Sequence, residues 1–169
     1  MNTAIKWIDT FNTVIGKVLS FTVYLLLIIV LYEIVSRKIF GNPTIWGFEL
    51  SYMLYGFLFM MGYAYALKSK SHVNIDIFYS RANPRKQGIL DIIGYLVFFF
   101  PFIYFGLKAS YQFTIQSWQI MEHSQSTWAP PVYPYKTTLL IGFFLLFLQG
   151  ISEFLKAIYK VKTGEMYES

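Results

Sequence analysis

The sequence predicts an all-α integral membrane protein with four transmembrane helices, and two observations support this fold class. The first is composition: 56% of the 169 residues are hydrophobic, 14% are charged and the mean hydropathy is +0.46, outside the range of soluble domains. The second is that the apolar residues form runs long enough to cross a bilayer. We place the spans at about residues 18–36, 48–67, 88–108 and 137–155 of a single membrane domain comprising residues 1–169.

A polar segment with helical periodicity precedes the first span. Residues 2–16 are too polar to cross a membrane, but apolar positions recur in them at helical spacing. These positions are Ile5, Ile8, Phe11 or Asn12, and Ile15. We therefore expect an amphipathic N-terminal segment that either lies in the membrane interface or extends the first helix.

The first span ends in a hairpin with strong turn chemistry. Glu33 lies four residues before Arg37, the order in which a helical Glu and Arg pair best. We expect an interfacial salt bridge here and favour it over a contact with substrate. The helix must stop near Asn42, because Pro43 forces the preceding residue out of the helical region. Thr44 is then the expected cap of the second helix.

The second span carries an interface anchor and a pair of small residues. Trp46 is well placed as an aromatic anchor, and Glu49 lies near the positive end of the helix dipole. Gly62 and Ala66 have the spacing that lets another helix approach closely. They predict helix packing without identifying the partner.

The basic connection after the second span contains a weak metal-site pattern. His72, Asn74 and Asp76 are potential ligands within it. One histidine and one carboxylate are fewer ligands than metal sites usually need, so we predict no metal site.

The third span contains a proline, and its far end is rich in aromatic residues. We expect a kink near Pro101. Beyond the span the helix should project past the membrane surface with an apolar stripe that includes Trp118. Three prolines between Trp128 and Tyr135 predict a rigid aromatic corner, which serves either as interfacial anchoring or as a docking edge.

The fourth span has one small residue and two polar residues on a single face. Gly142, Gln149 and Glu153 share this face at helical spacing. Polar side chains are costly in lipid, so this seam should face protein.

The distribution of basic residues predicts the orientation. Ten of the 14 Lys and Arg residues lie at the N-terminus, in the connection between the second and third spans and at the C-terminus, and four lie in the other two connections. The side with ten should be cytoplasmic, which places both termini inside. Because these cations lie at the ends of apolar runs, the net charge of +5 does not predict a nucleic-acid partner.

The sequence does not predict an enzyme or a cofactor site. It has no Gly-rich phosphate loop, nucleophile elbow or paired-histidine zinc motif, and it has no cysteine. Both histidines lie in connections, which disfavours a haem anchor. The acidic residues Glu33, Glu49, Asp91 and Glu153 lie near span ends, which argues against a self-sufficient proton pathway.

Several segments resemble one family of transport proteins. They are residues 37–43 (RKIFGNP), 46–50 (WGFEL), 68–76 (KSKSHVNID) and the start of the last span at 134–136 (PYK). They are similar to the small membrane subunit (DctQ type) of tripartite ATP-independent periplasmic (TRAP) transporters. The resemblance covers about residues 20–155.

This resemblance implies a secondary transporter that imports an organic acid, such as a carboxylate or sialic acid, with a sodium gradient. It implies as partners a large elevator subunit (DctM type), a periplasmic substrate-binding protein and membrane lipids, with this chain as a scaffold in the bacterial inner membrane. The candidate subunit-interface residues are then Arg37, Asn42, Pro43, Trp46, Glu49, Gly62, Ala66, His72, Asp76, Gln149 and Glu153. The candidate periplasmic docking residues are Trp118, Trp128 and Tyr133.

Two other classes stay open at this point. A small homo-oligomeric transporter would move solute as the isolated chain, and a membrane anchor of an enzyme complex would bind a soluble catalytic subunit.

Overall fold

The protein is a bundle of long helices, seen here in a computed structural model that describes residues 2–69, 79 and 82–167. The helices are α1 (Asn2–Lys38), α2 (Gly47–Lys68), α3 (Pro84–Gly94), α4 (Phe100–Gln119) and α5 (Tyr133–Thr163). A π-helical segment, Tyr95–Phe99, joins α3 to α4, so Pro84–Gln119 is one continuous helix. Four helices are long and apolar enough to cross a membrane. The predicted all-α, four-span fold class is confirmed.

Three of the four long helices are much longer than the predicted spans, and α2 exceeds its span by only two residues. At 37 residues α1 is about 55 Å long, whereas the hydrocarbon core of a bilayer is about 30 Å thick. The N-terminal segment therefore extends the first helix, which is one of the two alternatives left open by its sequence. Only α2, with 22 residues, matches the thickness of a membrane without tilt or projection.

Helix α5 is the centre of the bundle. It packs against α1 and α2 on one side and against α3 and α4 on the other, and in the described part of the chain the two flanking pairs do not pack on each other. We call the end of the bundle near Asn2 and Thr163 the terminal end, and the end formed by residues 39–46 and 120–132 the loop end. The polar seam predicted on the last span faces protein, because Gly142 is buried against Met60 of α2 and Gln149 against Asn12 of α1.

Glycines allow α5 to approach its neighbours closely. A Cβ atom on Gly142 would lie 2.6 Å from the backbone oxygen of Met60 in α2. A Cβ on Gly88 would lie 3.0 Å from the backbone oxygen of Ala157. The backbones of α2 and α3 therefore reach α5 at positions where only glycine fits without a shift.

The π-helical segment precedes the proline that predicted a kink. Pro101 has no N–H, and its ring would crowd the carbonyl group four residues earlier in a regular α-helix. The helical turn there contains one additional residue, so the N–H of Phe100 donates to the backbone oxygen of Tyr95, five residues earlier. The helix is thus irregular next to Pro101, and the kink itself stays a prediction.

Candidate functional site

A cluster of buried polar side chains joins α1 to α5 near the terminal end. Asn12 Nδ2 donates to Gln149 Oε1 at 2.9 Å, and Gln149 Nε2 donates to Asp9 Oδ1 at 3.0 Å. The hydroxyl of Ser152 donates to the same Asp9 oxygen at 2.7 Å. Gln149 and Ser152 have no exposed surface, so this network lies wholly between the two helices.

The cluster also contains charges. Lys156 Nζ lies 2.7 Å from Asp9 Oδ2 and 2.7 Å from Glu153 Oε1, and the three side chains are at most 16% exposed. One ammonium group is thus shared between two carboxylates, with Gln149 donating to Glu153 at 3.1 Å. Removal of the cation would leave two carboxylates close together in a poorly hydrated site, which is strongly unfavourable.

The sequence did not identify Asp9 as part of this cluster. The face of residues 2–16 that was expected to be apolar included Phe11 as an alternative to Asn12, and the structure buries Asn12 and leaves Phe11 41% exposed. The buried face follows Ile5, Asp9 and Asn12 instead. The available signal was the helical spacing of Asp9 and Asn12, together with the matching polar face on the last span.

A second set of contacts fastens the first hairpin at the loop end. Arg37 Nη2 lies 2.7 Å from Glu33 Oε1, so the predicted salt bridge is present. The other oxygen of Glu33 accepts hydrogen bonds from the backbone N–H of Thr44, at 3.2 Å, and from its hydroxyl group. The Thr44 hydroxyl in turn accepts from the N–H of Gly47 at 2.9 Å, which satisfies a donor in the first turn of α2. Thr44 is not the N-cap that the sequence predicted, because that position is Trp46 and the helix begins at Gly47, but its hydroxyl still accepts from the first turn.

The remaining hairpin residues from the sequence analysis lie at the same end. The Trp46 ring stacks on Tyr32 with a centroid separation of 5.7 Å. The Ser36 hydroxyl donates a hydrogen bond to the backbone carbonyl oxygen of Asn42 at 2.5 Å. Glu49 accepts a hydrogen bond from the hydroxyl of Ser126 in the connection between α4 and α5. Pro43 is exposed in the turn.

The connection between α4 and α5 is an ordered aromatic corner. Trp118 Nε1 donates to the Thr137 hydroxyl at 2.9 Å, and its ring lies 4.6 Å from that of Tyr133, edge to face. Lys136 Nζ lies 2.5 Å from Glu122 Oε2, and this ammonium group holds the pKa of the Glu122 carboxyl below its ordinary value. Trp128 is half-buried in the same connection. The corner brings the three predicted docking residues to one end of the bundle.

Two of the predicted interface residues belong to the connection between α2 and α3. His72 and Asp76 lie outside the described residues. Later in the same connection, Tyr79 donates to Asp91 Oδ2 at 2.7 Å, and Lys160 Nζ lies 2.8 Å from the Tyr79 hydroxyl. Within the part of the chain that is described, no group of three or more potential metal ligands occurs.

Gly62 and Ala66 line an open groove between α1 and α2. No atom lies within 4 Å of a Cβ built on Gly62. The small-residue pair of the second span therefore faces unfilled space within this chain, and the close helix contact of α2 occurs instead at Gly142 of α5.

Helix α2 also presents a row of exposed aromatic rings, which we call the α2 stripe. Its members are Phe48, Tyr52, Tyr55 and Phe59, with exposed fractions of 80%, 63%, 52% and 45%. They recur at helical spacing on one face of the span. Tyrosine hydroxyl groups within a span need hydrogen-bond partners that lipid tails do not supply.

These features define a polytopic membrane protein. It has four apolar helices, internal polar clusters that join one helix to another, and a broad exposed aromatic face. The chain belongs to the family of the DctQ component of tripartite ATP-independent periplasmic transporters, which matches residues 26–159. The resemblance noted in the sequence is thereby confirmed.

Two curated relatives are also similar to the chain. The sialic acid TRAP transporter permease protein SiaT of Haemophilus influenzae is 32% identical over 107 residues, which are 61% of this chain and 17% of that protein. The sialic acid TRAP transporter small permease protein SiaQ of Vibrio cholerae is 36% identical over 53 residues, 31% of each chain. The matches thus span less than a third of the length of either relative. No solved structure matches the chain.

Proposed function

We propose that this chain is the small membrane subunit of a TRAP transporter that imports an organic acid with a sodium gradient. The observation that carries the proposal is the DctQ family match over residues 26–159, most of the chain and all of α2 to α4. Both relatives are named as sialic acid TRAP permeases. Their names support a substrate of the carboxylate or sialic acid class.

The proposed role is that of a scaffold. The buried polar residues between α1 and α5 hold these two helices together: Gln149 has no exposed surface, and Glu153 binds Lys156. We therefore propose that substrate and sodium are carried by a large membrane subunit of the DctM type, with a periplasmic protein delivering the substrate. Gln149 and Glu153 support the contact with the large subunit only indirectly, by fixing α1 on α5.

The α2 stripe is the face that we propose for contact with the large subunit. It is exposed along the half of α2 nearest the loop end, and its tyrosine hydroxyl groups favour a protein neighbour over lipid tails. Arg37, Asn42, Pro43, Trp46 and Glu49 adjoin its loop end and would extend the same contact. Trp118, Trp128 and Tyr133 remain the proposed docking residues for the periplasmic protein.

The proposed location is the bacterial inner membrane with both termini in the cytoplasm. The excess of Lys and Arg at the terminal end supports this orientation. The loop end, with the first hairpin and the aromatic corner, would then face the periplasm, where a binding protein can reach it.

Co-expression with a candidate large subunit tests the proposal. We expect the tagged chain to co-purify a much larger membrane protein and to support sodium-dependent uptake only when that protein is present. Phe48→Ala combined with Tyr55→Ala should weaken co-purification, as should Glu49→Lys. Tyr24 is an exposed tyrosine on α1, so Tyr24→Ala is the matched control and should leave co-purification unchanged.

Other outcomes would contradict this function in distinct ways. Solute uptake by the isolated chain in liposomes would indicate a homo-oligomeric transporter. Recovery of a soluble catalytic subunit in place of the large membrane protein would indicate an enzyme anchor. Unchanged co-purification with the Phe48 and Tyr55 variants would exclude the α2 stripe as the contact face while leaving the family assignment intact.

A further inference from the structure

The open groove between α1 and α2 has a volume of about 480 Å³ and an apolar lining. It lies along the spanning parts of both helices. Residues from both sides line it, among them Gly16, Leu19, Val23, Leu58, Gly62 and Ala66. None of the residues that line it is acidic or basic. In a membrane such a groove must hold apolar material, because water gains no hydrogen-bond partners there.

The shape of the groove favours a slender occupant. It is narrow near Gly16, where a built Cβ would lie 2.5 Å from the ring of Tyr65, and it is open at Gly62, where a built Cβ would have no atom within 4 Å. A helix with its side chains is about 10 Å wide, so a single turn fills roughly 400 Å³. The groove therefore has little more than the volume of one helical turn, which is too little to seat a helix of several turns between α1 and α2.

Two cations lie at the terminal end of this groove. Lys17 follows Gly16 directly and is exposed. The ammonium group of Lys68, at the end of α2, contacts the hydroxyl of Thr13, one turn before Gly16. Neither lysine forms an ion pair with a described residue, and the carboxylate of Asp9 nearby on α1 is bound by Lys156. The apolar groove thus ends in positive charge that is not neutralised by an ion pair within the described chain.

We propose that this groove is a binding site for an anionic phospholipid, with an acyl chain between α1 and α2 and the phosphate group at Lys17 and Lys68. An apolar cleft and adjacent cations match the two parts of such a lipid. The lipid would fill the space beside Gly62 and hold the two helices of the first hairpin together at the membrane surface. This inference does not depend on the transport function.

The full-length chain in detergent tests the site. Phosphatidylglycerol and phosphatidylcholine with identical acyl chains are titrated, and bound lipid is counted by native mass spectrometry. We expect phosphatidylglycerol to bind more tightly. Lys17→Gln should weaken phosphatidylglycerol binding about fivefold and leave phosphatidylcholine unchanged. Lys108→Gln, an exposed lysine on α4, is the control and should change neither.

A second pair of variants tests the groove itself. Gly62→Leu should fill it and abolish tight binding of both lipids. Gly94→Leu is the matched control, because Gly94 is also a helical glycine with no atom within 4 Å of its Cβ position, and it does not line the groove. Circular dichroism verifies that both variants are folded. If Gly62→Leu does not fold, the comparison of Lys17→Gln with Lys108→Gln still tests the site.

Three results would overturn the proposal. The first is equal binding of phosphatidylglycerol and phosphatidylcholine. The second is unchanged lipid binding in Gly62→Leu. The third is that Gly62→Leu keeps its lipid binding but loses a co-purifying large subunit, which would assign the groove to a partner helix. Because lipid is measured on this chain alone, absence of a co-purifying large subunit would contradict only the transport proposal.

Discussion

Lys156 shows how much a single residue can contribute to the packing of this bundle. Its ammonium group bridges Asp9 on α1 and Glu153 on α5, and all three side chains are largely removed from solvent. In a site of low polarity the attraction between such groups is strong, but so is the cost of leaving one of them unpaired. The three residues therefore function as a unit that fixes the N-terminal part of α1.

We predict that Lys156→Met destabilises the protein more than Asp9→Asn does. The methionine variant leaves two unpaired carboxylates and should cost about 3–5 kcal/mol. Asp9→Asn leaves the Lys156–Glu153 pair intact and should cost about 1–2 kcal/mol through weaker hydrogen bonds. Thermal unfolding in detergent measures both, and Lys162→Met, an exposed lysine on the same helix, is the control. A smaller loss in Lys156→Met than in Asp9→Asn would contradict the arrangement.

Sequence reasoning succeeded at residue scale where the partners are close in the chain. Glu33 and Arg37 are one helical turn apart, so helix geometry alone brings them together. Asp9 and Ser152 are separated by 143 positions, and nothing local relates them. Only the packing of α1 on α5 decides that the polar face of one helix meets the polar face of the other.

At the scale of elements, the approach of α2 to α5 depends on one glycine. The backbone oxygen of Met60 occupies the place where a side chain at position 142 would begin. Backbone cannot rotate aside as a flexible side chain can, so any larger residue must push the helices apart.

We predict that Gly142→Ala destabilises the bundle by about 1–3 kcal/mol although alanine favours helix. Gly94→Ala is the control: its Cβ has no neighbour within 4 Å, so it should be neutral or stabilising by up to about 1 kcal/mol. Chemical or thermal unfolding of the two variants compares them. Equal stability of the two would show that α2 and α5 do not meet at this position.

The aromatic corner should respond to pH through Glu122. Lys136 lowers the pKa of this carboxyl, so the ion pair stabilises the folded corner at neutral pH. The stabilisation is complete above the ordinary glutamate pKa of about 4.3, and it is lost as the pH falls through the lower pKa of the folded state. The thermal stability of the wild type should therefore fall more steeply below about pH 4 than that of Glu122→Gln. Parallel curves for the two proteins would contradict a contribution from the pair.

At the scale of the whole molecule, the helices are too long for a bundle that stands upright within a membrane. The continuous helix Pro84–Gln119 has 36 residues and is about 54 Å long, and α5, with 31, is about 46 Å long. Such helices must tilt or project beyond a hydrocarbon core of about 30 Å. We therefore expect the buried polar cluster near the terminal end and the aromatic corner at the loop end to lie at the two membrane surfaces.

The orientation can be tested without background because the chain contains no cysteine. We expect a single Asn42→Cys variant in intact cells to react with a membrane-impermeant thiol reagent. A single Thr163→Cys variant should react only after the membrane is opened. Both positions are exposed. The reverse pattern of labelling would show that the termini face the outside.

The sequence by itself determined that this is a four-span helical membrane protein, because apolar run length, turn residues and short-range pairs are local properties of the chain. Segment matches along the chain likewise pointed to the DctQ family. The tertiary structure alone decided that α5 is the central helix, that Asp9 and Asn12 are buried against Gln149, and that Gly62 borders an open groove. The physical reason is that these features depend on the rotation and register of one helix against another. Rotation and register are determined by the packing of all the helices together, and they cannot be read from the residue spacing within a single helix.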